Sequence, residues 1–253
     1  AIRGRARRAA TKLDRSSTIN VKTAWGLWPL DANEVRLLAP YADEPLELAL
    51  LARYLQPGMT AIDVGANRGS YSLMFSARVG ANGSVLAVEP DPRMITRLFA
   101  MSEINQLDGV LTIVDAAVAG ESGQRVLSLA VEPALNHLQP TTGAAAIGVV
   151  TTVEAISYVD LLALHSVDRV DLLKVDVEGA EPEVLASVVA CDDEAALPVL
   201  IMFEYEQGHW ARLGHSSLAP TATALATRYD LFAIDYATGR LLPIDPSDQP
   251  TWT

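Results

Sequence analysis

Five short apolar runs punctuate the chain: TAIDV (60–64), SVLAVE (84–89), VLTIVD (110–115), VDLLKVDV (170–177) and PVLIMF (198–203). Four of them lead directly into stretches with helical spacing, and the third reaches one through an inserted segment. Strand–helix alternation of this kind predicts an α/β fold with a mostly parallel sheet and helices on both faces. Such sheets place ligands beyond the carboxyl ends of their strands, at the switch point beside the first strand. The inserted segment, RVLSLAV (125–131) and VVTTVEA (149–155), reads as an added strand pair around the loop 132–148. LFAIDY and RLLPI, joined by ATG, read as a closing hairpin, with Pro243 awkward anywhere but at a sheet edge. EPLELALLARYLQPG reads as a helix that Pro57 and Gly58 stop.

Residues 1–40 are expected to form an N-terminal arm and 41–253 one globular domain. Half of the 253 residues are apolar, enough for a full core. The net charge of −12 is unevenly placed: residues 1–15 hold six basic side chains and one acid, so the rest carries 13 basic against 30 acidic. An acidic body repels phosphate backbones, and nucleic acid is not expected as a substrate. The basic arm reads as a solvated tail or helix, or as a contact for an anionic partner, a membrane surface or a second copy of the chain in a homo-oligomer. A lone cysteine, Cys191, makes no internal disulfide, and no apolar run approaches the length of a membrane span. A cytoplasmic setting is expected.

The first strand runs into a glycine turn, Asp63-x-Gly65-x-Asn67-x-Gly69. Asn67 stands where a dinucleotide fingerprint would have its middle glycine. An acid at that strand end repels pyrophosphate but attracts the ammonium of a bound amino acid. Glu89, at the second strand's end, suits the two hydroxyls of a ribose. Asp115, at the third, suits an adenine amino group beside the small Ala116. Singly these acids would serve as a helix cap, a solvated strand end and a turn residue. Together they describe a nucleoside with an amino-acid tail and no phosphate, which is S-adenosylmethionine. A nicotinamide-dependent oxidoreductase is the alternative, set back further because Tyr158 is followed four residues later by Leu162 instead of lysine.

Lys174, Asp176 and Glu178 alternate along the fourth strand and are expected to share one face. AIDVGANRGSYS, VLAVEPDP and above all LLKVDVEGAEPEVL resemble the motifs of the FkbM family of methyltransferases, with IMFEY similar to its fifth strand. The likeness covers about residues 43–206. The resemblance implies a seven-stranded class I methyltransferase sheet, S-adenosylmethionine as donor, and a hydroxyl of a sugar, glycan or polyketide-type natural product as acceptor. It implies that Asp63, Gly65, Asn67 and Gly69 form the methionine-end loop and that Asp176 and Glu178 lie at the methyl-transfer end. A methyltransferase-like adaptor without activity is the remaining alternative.

Oxygen methylation needs a proton acceptor, and the candidates are Asp176, Glu204 and His209, with Glu178 and His137 on the acceptor side. His165 and His215 read as helix or surface residues. Asp176 and Glu204 end neighbouring strands, where a divalent metal could bridge them; hydrogen bonding without metal is the favoured reading. Trp25, Trp28, Trp210 and Trp252 are candidates for stacking on a sugar, although core packing is their commoner use.

Overall fold

The computed structural model describes residues 18–31, 45–130, 136–139 and 149–246. Its centre is a five-stranded parallel sheet. The strands are β3 (Thr60–Val64), β4 (Ser84–Glu89), β5 (Leu111–Asp115), β10 (Leu172–Val175) and β11 (Leu200–Phe203), in the spatial order β11-β10-β3-β4-β5. The order turns back at β3, so the switch point opens at the carboxyl ends of β3 and β10, as the alternation predicts.

Strand periodicity explains the two cores. Ala61, Val85, Ala87 and Leu172 point to one face, under the helices α1 (Pro45–Tyr54), α2 (Ser70–Val79) and α3 (Pro92–Asn105). Ile62, Val64, Leu86, Val88, Leu173 and Val175 point to the other, with Leu161, Leu162, Val184, Leu185 and Val188 of α4 (Tyr158–His165) and α5 (Glu181–Val189). Local chemistry starts several of these helices. Asp91 caps α3 by accepting from Arg93 N, with Pro92 at the first position, and Ser157 caps α4 by accepting from Asp160 N.

The inserted segment forms the expected antiparallel pair, β7 (Gly123–Leu129) with β9 (Val149–Ile156). Short β6 (Ala117–Val118) and β8 (His137–Leu138) complete a four-stranded sheet in the order β6-β9-β7-β8. Part of the expected N-terminal arm packs on the domain. The hairpin of β1 (Thr18–Lys22) and β2 (Leu27–Asp31) inserts Trp28 and Leu30 into the first core, and Asn105 of α3 bonds both the N–H and C=O of Leu27 at 2.7 and 2.6 Å. The basic residues 1–15 and most of the loop 132–148 lie outside the described residues.

The sheet count differs from the seven strands that the resemblance implies. Among the described residues, β12 (Phe232–Asp235) and β13 (Arg240–Pro243) pair with each other in a separate sheet and do not extend β11. Pro243 has no N–H to give to a further strand, and it sits at the end of β13, opposite Phe232. Two further helices, α6 (Gln207–Arg212) and α7 (Ala219–Leu225), lie between β11 and this hairpin. No helix among the described residues is long and apolar enough to cross a membrane.

Candidate active site

A cleft of about 230 Å³ opens at the carboxyl edge of the sheet. One wall is the turn that follows β3. Gly65, Asn67 and Gly69 all have positive φ (79°, 49° and 81°), and the turn is bonded to β4 by Gly65 N and Ala66 N donating to Val88 O. The glycines of this turn also make close contacts within the protein. A Cβ on Gly65 would stand 1.8 Å from Asp176 O, and one on Gly69 would meet Met101 and Leu98.

Glu89 holds this turn from the second strand. Its Oε2 accepts from Asn67 N and its Oε1 from Asp91 N, both at 2.8 Å, while the side chain faces the cleft. Burial pushes its carboxyl up to about 7, against the pull of those two N–H groups. Asp91, next along, accepts from Arg93 and from Asn136, which also lines the cleft. Burial would raise Asp91, but the hydrogen bonds from Arg93 and Asn136 hold it below the usual carboxylate range.

Two of the expected donor contacts are placed elsewhere. Asp63 is fully buried and does not line the cleft. Its Oδ2 accepts from Ser72 Oγ at 2.6 Å, and its Oδ1 lies 3.9 Å from Lys174 Nζ, its cross-strand neighbour. Burial raises its carboxyl, with Lys174 and Ser72 opposing. Asp63 therefore braces the sheet edge from within, because β3 is still in the ladder at that position. Asp115 is exposed on a separate shallow groove with Pro92, Gln124 and Glu154, while Ala116, Ala117 and Val118 line the cleft. The pleat that turns Ala116 inward turns Asp115 outward.

The far wall comes from the end of β10. The alternation expected of Lys174, Asp176 and Glu178 breaks down, because the strand stops at Val175 and Glu178 adopts φ 58°. Lys174 is buried, donates to Asp176 Oδ2 at 3.0 Å, and lies 4.5 Å over the Tyr71 ring. Glu181 fixes the turn by accepting from Val177 N and Gly179 N at 2.8 and 3.0 Å. Two glycine turns, one on each wall, are thus each held by a buried glutamate accepting two backbone N–H groups. Gly179 lets its turn lie against α6: a Cβ there would come within 2.6 Å of His209 O.

That approach brings Glu178 Oε2 and His209 Nδ1 to 2.7 Å, without the alignment of a hydrogen bond. Burial, then the charges of Asp176, Glu204 and Glu181, push Glu178 up to about 8. Burial and Arg212 lower His209. Glu204 follows β11, its N–H bonded to Val175 O at 3.1 Å, and lines the cleft with Asp176, Glu178 and, from the opposite side, His137.

Of the residues singled out in the sequence, the structure gathers Trp28, Gly65, Asn67, Glu89, Ala116, His137, Lys174, Asp176, Glu178 and Glu204 around one cleft, with Gly69 and His209 directly behind its walls. It adds Tyr71 and Asn136 to the cleft and Glu181 behind the second turn, none of which carries a role in the sequence analysis. Glu181 was detectable: an acid two residues after a Glu-Gly pair can cap the turn with its side chain. Trp28 and Trp210 are both 1% exposed. Trp28 donates from Nε1 to Arg68 O at 2.8 Å, and Trp210 packs edge-on to Tyr205, so both are structural anchors for the site.

The sequence matches the family described as Methyltransferase FkbM domain over residues 63–225. A protein-L-isoaspartate O-methyltransferase of Triticum aestivum is 33% identical over 72 residues, which are 22% of this chain and 31% of that protein. The chain therefore aligns with under a third of that relative's length. Among solved structures, a methyltransferase FkbM from Methylobacillus flagellatus KT aligns with 90% of this chain and 53% of its own, at 11% identity and a TM-score of 0.43. A SAM-dependent O-methyltransferase from Thermotoga maritima aligns with 95% and 83%, at 14% identity and a TM-score of 0.42.

Proposed function

The chain belongs to the FkbM methyltransferase family, and on that premise we propose that it transfers the methyl group of S-adenosylmethionine to a hydroxyl of a small molecule, a sugar, a glycan or a polyketide-type natural product. The observation that carries this reading is Glu89. Its carboxylate stands at the wall of the cleft directly above the glycine turn, with each oxygen taking one backbone N–H and keeping a further lone pair for a ribose hydroxyl. Ala116, Ala117 and Val118 give the adenine a flat apolar wall without a charged partner from Asp115. The turn at Gly65, Asn67 and Gly69 faces the methionine end, with Asp63 stabilising it from behind.

The acceptor lies toward Asp176, Glu178, Glu204 and His137. Its hydroxyl oxygen attacks the methyl carbon as the carbon–sulfur bond breaks, S-adenosylhomocysteine leaves, and the hydroxyl proton passes to the protein. Asp176 is the proton acceptor in this reading. Lys174 holds the Asp176 carboxylate at 3.0 Å, and the cation–π contact with Tyr71 holds Lys174 in turn. Alignment of donor and acceptor supplies several kcal/mol of the barrier reduction, and the base about 10²- to 10⁴-fold in rate.

Calorimetric titration with S-adenosylmethionine, S-adenosylhomocysteine and NAD, with Glu89→Ala in parallel, tests the donor. Binding of the two adenosyl ligands that is lost in the variant supports the reading. Binding of NAD alone refutes it.

A further inference from the structure

We propose that Glu178, Glu204 and His209 form a divalent-cation site at the acceptor end of the cleft; what the cation does there rests on the methyl-transfer reading, but its binding does not. The three side chains come from three separate segments: the turn after β10, the residue after β11, and helix α6. One ligand atom from each lies within 4.8 Å of the other two. Ligand atoms about 2.0–2.3 Å from one metal ion stand about 3–4.5 Å apart, so the triangle closes on a cation with only small rotations.

Two of the three side chains already meet at this point. Glu178 Oε2 and His209 Nδ1 are shielded from solvent and lack an aligned hydrogen bond, although they are 2.7 Å apart. The surrounding backbone fixes them there: Glu178 is held at φ 58°, Gly179 permits the contact with the His209 backbone, and Glu206 caps α6 by accepting from His209 N at 2.6 Å. The electrostatics also call for a cation. Asp176, Glu178, Glu181 and Glu204 crowd this end; Lys174 is engaged with Asp176, and Arg212 is the other positive charge that acts on Glu178 and His209.

The donor set selects among ions. Oxygen ligands alone would suit Mg²⁺ or Ca²⁺, whereas two carboxylates with one imidazole suit Mn²⁺, Fe²⁺ or Zn²⁺. Glu178 and Glu204 line the cleft, and His209 stands behind them. The coordination positions left over therefore face the acceptor, where one hydroxyl or two neighbouring ones would bind. A cation-bound hydroxyl is more acidic than a free one. Its proton passes to Asp176, the oxygen–carbon bond forms, and the electron pair of the carbon–sulfur bond returns to sulfur.

The probe is Mn²⁺, titrated into the full chain at pH 7.5 and followed by the electron paramagnetic resonance of the free ion, with S-adenosylhomocysteine calorimetry on the same samples. One saturable site below about 1 mM is expected. Glu204→Gln and His209→Gln should each weaken it at least about tenfold while leaving S-adenosylhomocysteine affinity unchanged, which also shows that the variants fold. A linear, unsaturated titration overturns the proposal, as does equal Mn²⁺ affinity in both variants. Mn²⁺ binding in a protein that takes no adenosyl ligand would leave the cation site standing and sink the methyl-transfer reading.

Discussion

Replacing Gly65 by alanine should cost about 2–5 kcal/mol of stability, and the structure supplies each part of that sum. Gly65 sits at φ 79°, a conformation that costs an ordinary L-residue about 1–2 kcal/mol. The new Cβ would lie 1.8 Å from Asp176 O and 2.9 Å from its carbonyl carbon. Ordinary contact demands about 1.5 Å more, and the obstacle is backbone that cannot rotate aside. Overpacking of that kind costs about 1–3 kcal/mol. Parting the two strand ends also strains the bond from Asp176 N to Val64 O, now 3.0 Å. Gly69→Ala is the control. Its φ is nearly the same, 81°, but its Cβ would meet the ends of the Met101 and Leu98 side chains, at 2.7 and 2.8 Å, which can swing away. It should cost about 2 kcal/mol. Urea unfolding followed by circular dichroism measures both. A Gly65→Ala loss below about 1 kcal/mol, or no greater than that of Gly69→Ala, would refute the reasoning.

Lys174→Met leaves the buried Asp63 without its neighbouring charge and should destabilise the protein by about 3–5 kcal/mol; Asp63→Asn in the same chain should recover most of that, as a double-mutant cycle would show. Glu89 holds a proton in the folded state up to a pH of about 7 but ionises near 4.5 when unfolded, so stability of the unliganded protein should fall as pH rises through that window, by up to about 3 kcal/mol from this group. Glu178, raised to about 8, acts in the same direction, and urea midpoints at pH 5 and pH 8 should show a flatter dependence in Glu89→Gln than in the parent. Tyr158→Phe removes a buried hydroxyl that donates to Ala196 O at 2.6 Å and should cost about 1–2 kcal/mol in the same unfolding assay.

The sequence by itself determined the elements and their order. Strands alternate with helices because period-2 and period-3.6 patterns are local, and caps such as Asp91 and Ser157 act within three residues of themselves. It also brought Glu89, the glycine turn and Asp176 to one edge, since strand ends in a parallel sheet must meet there. Tertiary structure decided what each side chain does at that edge. Asp63 turned inward because β3 is still in the ladder at that position, and Asp115 turned outward by the pleat. Glu178 left the expected alternation because β10 ends at Val175, immediately before Asp176, and Glu178 itself is left-handed. The meeting of Glu178 with His209 depends on Gly179 lying against a helix thirty residues further on. No period in the sequence records a contact of that kind, because it is set by how the segments pack, not by the spacing within any one of them.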